Sequence, residues 1–245
     1  MQAVILAAGQ GQRIREHHTK PKGFIEIAGK PIIVRSLEIL RDYGIKKIVL
    51  IIGYACDYYE ELSKKTGYFE TVFNPHYARY NSHYSLYQSK DWVTDDILLL
   101  ESDIIYEPRA IAALLGAPEK DAILVSGKTN SGDEVYVEVH DEHLVNMSKR
   151  RELLNQSHLI GEFVGITKLS YATYQKLIAL SEQDEPLLKH GCYDEQGFVA
   201  LTHVCPIACV KIEDLLWSEI DQLDQWHHAK NIHEQMLKKE RALVK

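Results

Sequence analysis

Short apolar runs alternate with amphipathic stretches along the first half of the chain. Continuous apolar runs of four to six residues are typical of strands that are buried on both faces of a sheet. Between these runs, apolar positions recur with helical spacing, and proline or glycine stands at several of the expected helix ends. The pattern predicts strands at 3–8, 47–52, 69–73, 97–101 and 122–125, and helices at 31–43, 56–65, 81–92 and 108–115.

The second half of the chain is less regular. Its pattern predicts a hairpin of 135–139 with 144–147, strands at 163–168 and 207–212, and helices at 171–180 and from 223 onward. Strands that alternate with helices favour an α/β fold, here a Rossmann-like, mostly parallel mixed sheet flanked by helices. Because no linker or repeat interrupts the chain, we expect a single domain over residues 1–245, either a whole protein or one module of a longer fusion protein.

The first predicted strand runs directly into a glycine-rich loop, residues 9–13. Glycine lets backbone N–H groups approach a ligand, and α/β proteins bind nucleotides where a strand ends in such a loop. Arg13 and the nearby Lys22 add the positive charge that a polyphosphate needs. The spacing matches neither the P-loop nor the dinucleotide fingerprint, so an ordinary strand-to-helix turn is an equally good interpretation of the loop alone.

Composition narrows the range of partners. The chain has 245 residues, of which 45% are hydrophobic and 26% charged, a balance typical of soluble globular domains. A formal net charge of −7 argues against nucleic acid as a partner. No apolar run approaches the roughly 18 residues of a membrane span, and a strand that begins near Met1 leaves no room for a secretory signal. We therefore expect a cytoplasmic protein without membrane contact.

The cysteines and two of the aspartates are the candidate metal ligands in this sequence. Cysteines 56, 192, 205 and 209 fit no zinc spacing and are expected to be buried free thiols. Asp103 follows the strand at 97–101, at the sheet edge where α/β proteins bind ligands, and Mg²⁺ prefers carboxylates there. Asp221 also follows a short apolar stretch and is its candidate partner. For a lone aspartate, a turn is the alternative interpretation.

The strand and loop also carry a family signature. The string Leu6-Ala7-Ala8-Gly9, continued by Gly11, Arg13 and Pro21-Lys22, resembles that of the nucleotidyltransferases that activate sugar phosphates and phosphocholine. This resemblance implies a fold of the nucleotide-diphospho-sugar transferase type, in which the loop wraps a nucleoside triphosphate. It also implies that Arg13 and Lys22 contact the phosphates and that Asp103 and Asp221 hold Mg²⁺ as the cofactor. Residues 101–103 depart from the family's usual glycine-aspartate pair but keep the aspartate.

Three further blocks narrow the resemblance. Residues 81–87, NSHYSLY, are similar to the N-x-x-Y-S-L-Y segment of phosphocholine cytidylyltransferases, which implies CTP as the nucleotide and adds Asn81 and Ser82 to its site. Residues 22–24 and 126–133 look most like the 2-aminoethylphosphonate cytidylyltransferases. Phosphocholine and then a sugar 1-phosphate are the alternative acceptors. A nucleotide-sensing regulator on the same fold is the alternative without catalysis, and the presence of Arg13, Lys22, Asp103 and Asp221 argues against it.

The acceptor is then expected to be a small zwitterion. The resemblance implies a lysine that anchors its phosphonate or phosphate, for which Lys149 is the nearest match and Lys128 a rival. A quaternary ammonium favours aromatic faces, whereas a primary ammonium favours carboxylates. The candidates for that end are Tyr84, Tyr193, Asp194, Glu195, Trp217 and Glu219. Trp217 is equally consistent with core packing. The motif blocks favour the primary amine, with an expected preference of at least about tenfold over phosphocholine.

Overall fold

The computed structural model describes residues 1–129, 131–189 and 193–243. The strands are β1 (Gln2–Ala7), β2 (Glu26–Ile27), β3 (Lys30–Pro31), β4 (Ile48–Ile52), β5 (Glu70–Phe73), β6 (Ile97–Glu101), β7 (Ile104–Tyr106), β8 (Ala122–Ser126), β9 (Tyr136–His140), β10 (His143–Ser148), β11 (Leu159–Leu169), β12 (Ala208–Ile212) and β13 (Trp217–Glu219). The helices are α1 (Ile32–Asp42), α2 (Cys56–Thr66), α3 (Ser82–Tyr87), α4 (Arg109–Gly116), α5 (Tyr171–Gln183), α6 (Glu185–Lys189), α7 (Asp194–Thr202) and α8 (Leu223–Leu243).

Nine of these strands form one mixed sheet in the order β5-β4-β1-β6-β11-β8-β12-β10-β9. The first four strands of that order are parallel to one another. β11 then runs antiparallel to both β6 and β8, and β12 returns parallel to β8. The predicted α/β class and the mixed, mostly parallel sheet are confirmed.

Helices cover both faces of the sheet, which explains the continuous apolar runs of its strands. Side chains of β1 alternate between two apolar clusters, since successive residues of a strand point to opposite faces. One cluster contains residues of α1, α2 and α4, and the other contains residues of α3, α5 and α7. An apolar run is therefore required at β1, because neither face of the strand meets water.

Several elements differ from the sequence-based expectation, among them the short β2, β3 and α6, which were not predicted. α3 ends at Tyr87 rather than near residue 92, because turns follow in which the backbone N–H of Trp92 donates to Ser89 O at 2.9 Å. β7 and α7 were not expected at all. β7 has three residues and pairs with β13 in a separate two-stranded sheet. A strand of this length is too short to show a recognisable hydrophobic pattern in the sequence.

The cysteines in the described part of the chain are free but less enclosed than expected. Cys56, Cys205 and Cys209 are half-buried free thiols, and Cys192 lies outside the described residues. Within the described ranges, none of the helices combines the length and the apolar character needed to cross a membrane.

Candidate active site

A cleft of about 520 Å³ opens where β1 and β6 end. Its walls are the glycine loop that follows β1, the loop between β5 and α3, the loop between β8 and β9, and β13. Most of the residues expected to form a site line this cleft together: Leu6, Ala7, Ala8, Gly9, Gly11, Arg13, Lys22, Asn81, Ser82, Asp103, Lys149, Tyr193, Glu195, Trp217, Glu219 and Asp221. Lys128, Tyr84 and Asp194 are not among the lining residues.

Two glycines set the position of Lys22. Gly11 has a φ of +60°, and a Cβ at this residue would lie 3.0 Å from Lys22 Cγ. The residue after Lys22 is Gly23, where a Cβ would lie 2.8 Å from the buried Tyr59 hydroxyl. The glycine in the Lys22-Gly23-Phe24 block therefore follows from packing, because a larger residue would push against Tyr59.

Lys22 joins the two aspartates that the sequence singled out. Its ammonium contacts the carboxylate of Asp103 and lies 2.5 Å from Asp221 Oδ1. Burial opposes the charge of Lys22, but these two carboxylates outweigh it and raise the lysine's pKa above its usual value. Burial likewise opposes ionisation of Asp221, yet Lys22 and then Arg13 lower the pKa of Asp221 to about 2. Both aspartates thus lie at one point of the cleft, and Asp221 is ionised.

Main-chain pairing brings Asp103 and Asp221 together from distant parts of the sequence. β7 follows Asp103 directly and pairs antiparallel with β13, so that Ile104 lies opposite Glu219. The N–H of Ile220 then donates to the carbonyl of Asp103 at 2.9 Å. The short β7–β13 sheet is therefore the element that assembles this acidic end of the cleft.

The carboxylates around this point form a suitable donor set for a hard divalent cation. Oxygens of Glu101, Asp103 and Glu219 lie within 4.8 Å of one another, as do those of Asp133, Glu219 and Asp221. Burial, together with the charges of Asp103 and Asp221, raises the pKa of Glu219 well above its usual value. A cation bound by several of these oxygens would relieve that repulsion, and oxygen ligands are what Mg²⁺ prefers.

The loop between β8 and β9 contributes a carboxylate to the same end. Asp133 accepts from Lys149 Nζ at 2.7 Å and from Arg13 at 3.0 Å. The loop is held by Thr129, whose N–H and hydroxyl both donate to the buried carboxylate of Glu162, at 2.6 and 2.7 Å. Asn130, which belongs to the block that resembles the phosphonate enzymes, lies outside the described residues.

The two acidic residues at the start of α7 have different surroundings. Asp194 is buried and bound to Ser82, whose hydroxyl donates to Asp194 Oδ1 at 2.5 Å. Glu195 lines the cleft, and its Oε2 is buried with no hydrogen-bond partner in the described part of the chain. Burial and then the neighbouring Asp194 raise the pKa of Glu195 to about 8. Glu195 is thus a carboxyl group with unused hydrogen-bonding capacity.

The candidate aromatic residues do not surround one point. Tyr84 packs on Tyr80, with ring centroids 4.7 Å apart, and on His76 outside the lining of the cleft. Trp217 lines the cleft, but it is only 7% exposed and its indole N–H donates to Ser126 Oγ at 2.8 Å. Tyr193 is half exposed at the cleft edge.

Several residues of the cleft were missed from the sequence. Glu101 stands two residues before Asp103 at the end of β6, a signal that sequence reasoning passed over. A Cβ at Gly165 would lie only 2.5 Å from Glu101 Oε2, so the glycine leaves room for this carboxylate. Asp133, Glu162 and Arg79 also line the cleft. They come from loops and from the antiparallel β11, whose position at the cleft depends on the whole sheet.

The strand order and the glycine loop leaving β1 define the class: this is the nucleotide-diphospho-sugar transferase fold. The chain belongs to the MobA-like NTP transferase domain family, whose model matches residues 3–235. The expected family and fold are therefore confirmed.

Relatives and a solved structure agree with this assignment. The chain is 29% identical over 236 residues to the CMP-5'-(3-aminopropyl)phosphonate synthase of Streptomyces rubellomurinus, covering 90% of this chain and 37% of that one. It is 35% identical over 108 residues to the choline-phosphate cytidylyltransferase of Streptococcus pneumoniae, covering 44% and 47%. Both matches cover less than half of the relative's length. The inositol-1-phosphate CTP transferase of T. maritima shares the fold, with a TM-score of 0.78, 19% identity, and 95% and 96% of the two chains covered.

Proposed function

We propose that the chain is a single Mg²⁺-dependent cytidylyltransferase domain, residues 1–245, that transfers CMP from CTP to 2-aminoethylphosphonate and releases pyrophosphate. The family model spans nearly the whole chain. The names of the two relatives describe one enzyme that makes a CMP-phosphonate and one that uses choline phosphate, which supports a cytidylyl group as the transferred unit. Both names also describe an acceptor with a phosphorus group at one end and an amine at the other.

The reaction brings two anions together, so positioning and charge screening are its main requirements. An acceptor oxygen attacks the α-phosphorus in line, the bond from that phosphorus to the bridging oxygen breaks, and pyrophosphate leaves with the electron pair. In this proposal the glycine loop with Asn81 and Ser82 binds the nucleotide, while Arg13 and Lys22 screen its phosphates.

Asp103 and Asp221 are the residues that we propose as the Mg²⁺ ligands, with Glu219 close to both. When bound there, Mg²⁺ supplies charge neutralisation to phosphate oxygens. Lys22 contacts both aspartates and keeps the pair oriented toward the end of the glycine loop. The low pKa of Asp221 keeps this ligand ionised across the physiological pH range.

Glu195 is the observation that carries the choice of acceptor. Its buried Oε2 lacks a partner in the described part of the chain, and an ammonium N–H group would satisfy it. A second cavity of about 240 Å³ shares Val135, Lys149, Tyr193 and Glu195 with the cleft and adds Met147 as a further apolar side chain. A phosphonate at Lys149, methylene groups between the apolar side chains and an ammonium at Glu195 match this arrangement.

Phosphocholine fits the same cavity less well. Its quaternary ammonium has no N–H group and would leave Glu195 Oε2 without a hydrogen bond. An aromatic cage would have to come from Tyr84, Tyr193 and Trp217, of which Tyr84 lies outside the cleft lining. A primary amine is therefore the better partner.

A pyrophosphate-release panel tests the proposal. CTP, UTP, ATP and GTP are each combined with 2-aminoethylphosphonate, 3-aminopropylphosphonate, phosphocholine and glucose 1-phosphate. We expect turnover with CTP and the aminoalkylphosphonates, with kcat/KM for 2-aminoethylphosphonate at least about tenfold above that for phosphocholine. Equal or better activity with phosphocholine would overturn the acceptor alone. Preference for the sugar phosphate would likewise overturn the acceptor, and preference for UTP, ATP or GTP over CTP would overturn the cytidylyltransferase class. Nucleotide binding without release in any pair would favour a nucleotide sensor.

A further inference from the structure

The cations that line the cleft differ in whether a carboxylate already neutralises them. Arg13 pairs with Asp133 and Asp221, and Lys149 pairs with Asp133. Lys22 is likewise held by two aspartates. A phosphate that approaches any of these three cations competes with a carboxylate, which reduces the free energy that the contact contributes.

Arg79 is the exception among the described lining residues. It lines the cleft, its side chain is exposed, and it forms no ion pair with any described carboxylate. Its guanidinium stands 5.2 Å from the ring centroid of Tyr80, a contact that leaves the N–H donors available. An incoming anion therefore meets at Arg79 a full positive charge without a competitor.

The backbone that carries Arg79 is well supported. It belongs to the β5–α3 loop, residues 74–81, which begins at the fully buried Asn74. The amide of Asn74 donates to Ser85 Oγ at 3.1 Å and accepts from the N–H of His76 at 2.9 Å. The N–H of Arg79 in turn donates to the carbonyl of His76 at 2.8 Å. These bonds hold the loop in one arrangement from its buried end to Arg79.

The same loop packs on the strand end that leads into the glycine loop. A Cβ at Gly53 would lie 2.5 Å from Tyr77 Cβ and 2.8 Å from the carbonyl of Ala8. Gly53 thus allows the β5–α3 loop and the end of β1 to approach each other closely. Arg79 lines the cleft but not the second cavity that contains Lys149 and Glu195, and it stands two residues before Asn81, which the proposed function assigns to the nucleotide.

We propose that Arg79 binds the β- and γ-phosphates of the nucleotide and holds them as they leave as pyrophosphate. The inference rests on the proposed nucleotidyl transfer, in which negative charge accumulates on the leaving group. A guanidinium presents parallel N–H donors that match two phosphate oxygens, and a charge-assisted pair of this kind strengthens as the oxygens gain charge. Arg79 supplies the leaving group with a cation that no carboxylate among the described residues shares.

Direct binding tests this role. The variants are Arg79→Ala, Arg79→Lys and, as a matched control, Arg41→Ala. Arg41 also stacks on a tyrosine, with its Cζ 3.5 Å from the ring centroid of Tyr68, but it does not line the cleft. Inorganic pyrophosphate and CMP are each titrated into the protein by calorimetry in the presence of MgCl₂. We expect Arg79→Ala to weaken pyrophosphate binding by about ten- to a hundredfold and CMP binding by less than about threefold. Arg79→Lys should fall between the wild type and Arg79→Ala, and Arg41→Ala should match the wild type.

Steady-state kinetics add a second readout. Arg79→Ala should raise the KM for CTP and leave the KM for the acceptor unchanged. Unchanged pyrophosphate affinity in Arg79→Ala, or a wild type that binds no pyrophosphate, would overturn the proposal. Weakened CMP binding with unchanged pyrophosphate binding would overturn it in favour of a contact to the base. Failure of the proposed nucleotidyl transfer can be distinguished from failure of the Arg79 proposal. In the former case the wild type would release no pyrophosphate from any pair of nucleotide and acceptor in the release panel.

Discussion

Glu195 illustrates how burial controls the charge of a single carboxyl group. The residue is 8% exposed, and the cost of removing its charge from water is increased by the adjacent Asp194. With a pKa of about 8, the group carries a proton at neutral pH and becomes a carboxylate as the pH rises. Because the folded state binds this proton more tightly than the unfolded chain does, the group lowers the free energy of unfolding as the pH rises toward 8.

The first prediction concerns the acceptor's amine. The kcat/KM for 2-aminoethylphosphonate should rise between about pH 7 and about pH 9, because the carboxylate of Glu195 forms over this range while a primary amine stays protonated. Glu195→Gln should remove this rise and increase the acceptor KM by about tenfold or more. The measurement is acceptor kinetics across pH at saturating CTP. An unchanged pH profile in Glu195→Gln would exclude the residue from this role.

The second prediction separates the two lysines that the sequence left as rivals. Lys149 lines both cavities, whereas Lys128 lines neither. Lys149→Ala should therefore raise the acceptor KM with little effect on the KM for CTP, and Lys128→Ala should leave both unchanged. Initial rates with each substrate varied in turn give the result. If only Lys128→Ala alters acceptor kinetics, the two assignments are reversed.

At the scale of elements, α3 and α7 are interlocked behind the cleft. His83 of α3 lies so close to α7 that a Cβ at Gly197 would fall 2.4 Å from its ring. On the α5 side, His83 Nε2 lies 2.8 Å from Ser181 Oγ. Next to His83, Ser82 is hydrogen-bonded to Asp194 at the start of α7. The proposed nucleotide side and the proposed acceptor side of the cleft are thus joined through this helix pair.

The third prediction tests that contact. Gly197→Ala should lower the free energy of unfolding by about 1–3 kcal/mol, because the new methyl group overlaps the buried His83 ring. It should also raise the acceptor KM by displacing Glu195. Gly116→Ala is the matched control, since no atom lies within 4 Å of its Cβ position. Urea denaturation measures the first effect, and equal stability of the two variants would contradict the proposed close packing.

At the scale of the whole molecule, the C-terminal helix secures the acidic end of the cleft. Lys239 of α8 donates to the buried carboxylate of Glu107 at 3.2 Å, and Glu107 accepts from the N–H of Leu216 at 3.1 Å. Glu107 follows β7, and Leu216 precedes β13. Both strands of the small sheet that joins Asp103 to Asp221 are therefore tied to α8.

The fourth prediction concerns the metal. Turnover should be lost in EDTA and restored by added Mg²⁺. Asp103→Asn and Asp221→Asn should each reduce turnover to below about a tenth of the wild-type value, because metal stabilisation of the developing charge contributes several kcal/mol. Circular dichroism should show an intact fold, and Asp42→Asn, at the end of α1, is the control. A variant that keeps more than about a tenth of the turnover removes that aspartate from the ligand set.

Local patterns in the sequence determined much of the fold. The apolar runs of β1, β4 and β6 predicted buried strands, because a strand that meets helices on both faces buries most of its side chains. The glycine loop with Arg13 and Lys22 could also be recognised from the sequence, because its residues lie close together along the chain. Such features depend on the nearest neighbours in sequence, and these are the part of the environment that a sequence contains.

Tertiary structure decided the features that depend on distant partners. β7 and β13 form only because they pair with each other, and this pairing brings Asp103 to Asp221. Tertiary packing also decided which side chains line the cleft. Lys128 and Tyr84 stand in the expected segments but do not line the cleft, whereas Asp133 and Arg79 do. The pKa of Glu195 likewise depends on burial among elements far apart in the sequence, and no local pattern records that burial.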